Sequence, residues 1–122
     1  MTQPLQNAGF ANLTAAWVAY TSLPKYLGWG TGSAAAQSAN NLTTPASEAR
    51  TTGTASQQTT TITNDTYQVV GTITCATTGK SITEIGVFDA STSGNMDIYG
   101  WFTAVALNVG DSIAFTVKVA FS

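Results

Sequence analysis

The chain contains no histidine. That removes the one side chain whose ordinary pKa lies near neutrality, and with it the usual general base and the usual nitrogen ligand for a metal. There is a single cysteine, Cys75, so neither an intrachain disulfide framework nor a cysteine-rich zinc site can form. Charge is scarce too: four Lys+Arg and six Asp+Glu make up 8% of the residues, against about 25% in an ordinary globular chain. A net charge of −2 cannot supply the basic footprint that nucleic acid requires. No apolar run approaches the roughly 18–20 residues that span a bilayer, so no membrane partner is expected. The opening Met-Thr-Gln-Pro-Leu lacks the basic start of a secretory signal, which predicts a chain made in the cytoplasm.

What is present points to strands. Thr is the commonest residue among the 122, with Ala, Gly, Ser and Val beside it. β-branched residues favour pleated, half-buried surfaces. Hydrophobic content of 43% is too high for a disordered chain. The length suits one domain with a small core.

One helix is expected, within residues 1–22. Phe10, Leu13, Trp17 and Tyr20 recur at helical spacing, alanines fill the positions between them, and Asn7 is a candidate cap. Ser22 and Pro24 end the pattern. Residues 23–122 then read as a single sandwich domain. A short strand is expected at Lys25–Trp29, and residues 30–47, rich in Gly, Ala, Ser, Asn and Thr, form a long loop. Loops of that length are often binding elements or become ordered against a neighbour.

Further strands are expected at Glu48–Ala55, Gln57–Asn64, Tyr67–Cys75, Ile82–Phe88, Met96–Leu107 and Ile113–Phe121. Tyr67, Val69, Gly71, Ile73 and Cys75 alternate with Thr and Gln, and Ile113, Phe115, Val117, Val119 and Phe121 alternate more cleanly still. Ile82–Phe88 is apolar enough for burial on both faces, and Gly100 marks a candidate bulge. The fold class is therefore mainly β: an antiparallel, jelly-roll-like sandwich with one N-terminal helix.

Motifs that would carry chemistry are incomplete. Gly79-Lys80-Ser81 ends like a phosphate-binding loop, but Thr74 stands where glycine is required, and strands flank it. Gly28-Trp29-Gly30-Thr31-Gly32 is not a dinucleotide fingerprint, because Ser33 occupies the last glycine position. Asp89, Ser91, Ser93 and Gly94 have the spacing of a calcium loop, yet Gly100 replaces the bidentate acid. A Ser/Gly hairpin loop is the better reading there, with a weak site on Asp89 and Asp97 as the alternative. Glu48 and Glu84 are the only glutamates, and a structural ion pair with Arg50 or Lys80 suits Glu84 better than catalysis. Cys75 falls on the inward register and reads as an inert core thiol. Trp29, Tyr99 and Trp101 are candidates for a sugar-binding platform. The N-x-T sequons at Asn12, Asn41 and Asn64 carry no weight without a secretory signal.

Four segments resemble small virion proteins of tailed bacteriophages. They are Pro24-Lys25-Tyr26-Leu27-Gly28-Trp29-Gly30-Thr31-Gly32, Asn64-Asp65-Thr66-Tyr67-Gln68-Val69-Val70-Gly71-Thr72, Ile82-Thr83-Glu84-Ile85-Gly86-Val87-Phe88-Asp89 and Val109-Gly110-Asp111-Ser112-Ile113. The third is the most specific. The resemblance implies a non-enzymatic structural protein without cofactor or metal, most similar to a capsid decoration protein. It would be located on the capsid surface after synthesis in the host cytoplasm. Its implied partners are the major capsid protein and further copies of itself, as a dimer or trimer. Phe10, Leu13, Trp17, Tyr20 and Trp29 are the expected partner-binding residues. The alternative is a tail or fibre component that binds a receptor or carbohydrate.

Overall fold

A computed structural model describes residues 5–122. One helix, α1 (Asn7–Ala19), precedes seven strands: β1 (Tyr26–Gly30), β2 (Thr51–Thr52), β3 (Thr54–Gln58), β4 (Thr66–Thr74), β5 (Lys80–Phe88), β6 (Met96–Leu107) and β7 (Ser112–Ala120). They form two antiparallel sheets, ordered β2-β1-β5-β6 and β3-β4-β7. The mainly β, sandwich-like architecture with an N-terminal helix is thus as the sequence predicts.

Alternation along the strands builds the core. Leu27 and Trp29 of β1, Tyr67, Val69 and Ile73 of β4, and Ile82, Ile85 and Val87 of β5 are buried together with Cys75. The register pairs Leu27 with Val87, Trp29 with Ile85 and Val69 with Val117, so these side chains meet in the space between the sheets. The outer face of the β3-β4-β7 sheet carries Ser56, Gln68, Thr72, Thr116 and Lys118, which is the Thr- and Gln-rich exterior the alternation predicts. Cys75 is buried and free.

Two predicted strands are in fact one strand shared between sheets. The stretch expected at Glu48–Ala55 and Gln57–Asn64 is ordered as β2 and β3, separated by Gly53 alone. β2 pairs with β1 in one sheet and β3 with β4 in the other. Gly53 makes the corner because a Cβ there would lie 2.5 Å from Leu27 Cδ1 and 2.8 Å from Val69 Cγ1. Residues beyond Gln58 turn around Asp65, whose carboxylate accepts the backbone N–H groups of Thr60, Thr61 and Ile62 and the Thr66 hydroxyl. Those bonds hold the Asp65 carboxyl well below the usual carboxylate range, led by the one from Thr60, against the opposing effect of burial.

Gly100 is not the bulge. It pairs directly with Ile85, and the register shifts lie at Ile82/Glu84 and Val87/Phe88, where β6 carries extra residues. Gln6, not Asn7, occupies the cap position of α1, and it makes no side-chain cap hydrogen bond.

The helix presents a different face from the one its apolar spacing suggests. Its buried residues are Phe10 and Thr14. Thr14 is polar yet fully enclosed, because its hydroxyl donates to the Asn64 carbonyl at 2.6 Å and accepts from the Gln57 amide at 2.9 Å. Trp17 packs on Tyr67 with ring centroids 4.6 Å apart and joins the core. Leu13 and Tyr20 are left 43% and 58% exposed.

Candidate functional site

Residues 31–47 do not project from the sandwich. They lie across the outer face of the β1-β5-β6 part of the four-stranded sheet, and one acid holds them there. Glu84 alternates with the core residues Ile85 and Val87, so its side chain leaves β5 on that outer face. It is nevertheless fully buried. One carboxylate oxygen accepts from Thr43 N at 3.1 Å and the Tyr99 hydroxyl at 2.8 Å. The other accepts from Gly32 N at 3.2 Å and Thr44 N at 2.9 Å. Burial alone would raise the pKa of Glu84. The four donors, led by Thr44 N and the Tyr99 hydroxyl, outweigh it and keep the group ionised below its ordinary range.

The two ends of the loop are thereby tied to each other and to the sheet. Thr31 N donates to Thr44 O and Ala46 N to Trp29 O, extending the β1 edge by a short antiparallel bridge between Gly30 and Pro45. Leu42 is buried over Gly86, where a side chain on the strand would crowd it. Asn40 reaches the β5–β6 turn, bonding Asn95 and the Met96 amide. Of the two roles expected for so long a loop, ordering against a neighbour is seen, and the neighbour is the chain's own sheet.

Charge partners also differ from expectation. Lys80 is paired with Glu48, not Glu84. Glu48 in addition accepts from Trp29 Nε1 and Ala76 N, each at 2.9 Å. Burial opposes its ionisation, but the Lys80 ammonium and these two donors bring its pKa down to about 2. Arg50 lies over the Phe88 ring, 3.4 Å from its centroid, and donates to the carbonyls of Ala90 and Ser93. It therefore staples the β5–β6 turn. In that turn both Asp89 oxygens are taken by Asn95, so the calcium-like spacing serves a hairpin. Among the described residues no group of three or more His, Cys, Asp or Glu could hold a metal. Gly79-Lys80-Ser81 enters β5, where Lys80 has the ion-pair role just described.

The aromatic candidates separate. Trp29 is 2% exposed, faces the interior and is anchored by Glu48, so it belongs neither to a sugar platform nor to a docking surface. Phe10 is likewise an interior packing residue at 3% exposure. Tyr99 and Trp101 stay together. Paired with Gly86 and Glu84 respectively, they share the outer face of the sheet, with ring centroids 5.9 Å apart. Trp101 is 60% exposed, the most exposed of the large hydrophobic side chains among the described residues. The Tyr99 hydroxyl is fixed by Glu84, so the same carboxylate that clamps the loop also sets the ring beneath Trp101. Sequence reasoning missed Glu84 as the organiser of the site; a lone acid within an apolar strand was the available signal.

Fold and site define a β-sandwich structural module with a loop strapped to one sheet and an aromatic ledge at its margin. The family model described as "Podophage GP4 fiber I protein gp80" matches residues 2–119, and the chain belongs to that family of phage fibre proteins. No curated protein matches it. No solved structure matches it either. The family corrects the expected capsid decoration role: the chain is a virion fibre component, in line with the alternative reading, and a cement function on the capsid surface is not supported.

Proposed function

We propose that this chain is a non-enzymatic module of a podophage fibre and that it meets host surface carbohydrate through the Tyr99–Trp101 ledge. The observation that carries the reading is a tryptophan ring left 60% exposed on a β-strand and backed by a second aromatic whose orientation is fixed from below. Flat apolar ring faces with nearby polar groups suit the C–H faces and hydroxyls of a sugar, and a pre-set ring adds little ordering cost on binding. Gln37 and Asp97 lie beside Tyr99 and supply polar groups. The non-enzymatic part rests on the acids. Both glutamates are saturated by structural donors, and the chain has no histidine to act in their place.

Binding to an array of bacterial surface polysaccharides tests the reading. Trp101→Ala is expected to lower affinity by about five- to twelvefold, the equivalent of about 1–1.5 kcal/mol for an aromatic contact, with the circular dichroism spectrum unchanged. Equal binding by Trp101→Ala and the native chain would overturn it.

A further inference from the structure

The two sheets are joined along one side and open along the other. On the closed side, the continuous β2–β3 strand passes from sheet to sheet at Gly53. On the opposite side β6 and β7 are both edge strands, of 12 and 9 residues, and neither pairs with the other. A groove runs between them, lined by Ile98, Phe102, Val105, Ile113, Phe115 and Val117. These side chains occupy inward positions, yet none is fully buried, and Val105 is 40% exposed.

The edges carry few devices against pairing, the main one being the two register shifts of β6 opposite Ile82/Glu84 and Val87/Phe88. Neither strand contains proline, β6 has one charged residue, Asp97, and β7 has one, Lys118. The β7 edge is also chemically ready. Cys75 N donates to Asp111 O and Phe121 N to Asp65 O, so the odd-numbered residues of β7 face β4 in its ladder. The even-numbered ones, Ser112, Ala114, Thr116, Lys118 and Ala120, aim their N–H and C=O groups away from β4, at the open side.

We propose that this seam is a self-assembly surface, in which β6 of one copy pairs antiparallel with β7 of the next and the groove residues of the copies form a shared core. The occupant is a second copy for two reasons. β6 and β7 run in opposite directions across the short turn 108–111, so rotating a copy about an axis parallel to the strands brings β6 against β7 already antiparallel. The edges are also of opposite charge, acid on β6 and base on β7. A cyclic arrangement satisfies β6 and β7 of every copy, so neither is left to template open-ended growth. Trp101 points to the outer face and stays accessible. The inference is independent of carbohydrate binding: one is read from the mass of the purified chain, the other from an array.

Analytical ultracentrifugation of the full chain and two variants tests it. Thr116→Pro removes a free-edge N–H without touching the β4 ladder, and Val105→Lys places a charge at a position that is already part exposed in the single copy. The native chain is expected at a small whole multiple of 12.6 kDa. Both variants are expected as monomers with the native circular dichroism spectrum. A monomeric native chain overturns the proposal, as does an oligomer retained by either folded variant, since pairing of β6 with β6 or β7 with β7 would spare one of them.

Discussion

Glu84→Gln is the sharpest test of how the loop is held. The substitution keeps the shape of the side chain and removes its charge. The native carboxylate accepts four hydrogen bonds, two at each oxygen. An amide can accept at only one end. Its best orientation turns the NH₂ toward the Tyr99 hydroxyl, which can rotate and accept, and keeps the oxygen on Gly32 N and Thr44 N. Thr43 N then faces a donor and is left without a partner. Bonds to a charged acceptor contribute about 1.5–3 kcal/mol each and neutral ones about 0.5–1.5, while an orphaned buried donor costs about 1–3. The amide is easier to bury than the carboxylate, which offsets part of the loss. The net expectation is a destabilisation of about 2–3 kcal/mol, felt first in the loop. Hydrogen exchange at the Gly32, Thr43 and Thr44 amides should quicken by about 30- to 150-fold, the equivalent of that energy. The middle of β4 should change less. Tyr99→Phe, which removes one of the four bonds to the carboxylate, should cost about 1.5–3 kcal/mol. An unchanged denaturation midpoint together with unchanged loop exchange in Glu84→Gln would refute the clamp.

Two further outcomes concern stability. Glu48 has its folded pKa brought from 4.5 down to about 2, so its contribution is fully present above about pH 5 and is lost as the pH falls toward 2. In acid titration of the native chain Glu48 should account for up to about 3 kcal/mol of the loss over that window, and Glu48→Gln should reduce the loss by that share while the parts due to Asp65 and Glu84 remain. At the corner, Gly53→Ala forces a methyl group against Leu27 and Val69 and should destabilise by about 1–3 kcal/mol in urea unfolding, as overpacking does.

Legibility in the sequence followed the physics of each element. β4 and β7 were readable because one face of each meets the core and the other meets water, so period-2 alternation survives in the residue types. β5 was readable as doubly buried, although the cover on its second face was not. That cover is a loop of Gly, Ala, Ser, Asn and Thr with no period of its own, held by backbone donors that leave no trace in residue identity. The helix misled for a related reason: its deepest residue beside Phe10 is Thr14, whose hydroxyl lies within bonding distance of the Ala11 carbonyl of its own helix but makes its shortest bonds to Asn64 and Gln57, far along the chain. The division of one strand between two sheets at Gly53 depends on crowding by Leu27 and Val69, again distant in sequence.

By itself, the sequence determined the mainly β class, the inward and outward faces of its regular strands, the inward placement of Cys75 and the absence of histidine chemistry. Each follows from residue type or from a spacing of two, which are local properties. Tertiary structure alone decided that Glu84 is a clamp, that Trp29 is core while Trp101 is surface, that the long loop lies flat, and that the sandwich stays open between β6 and β7. Those outcomes depend on which distant donors, ring faces and strand edges come together, and such encounters are settled only when the sheets pack.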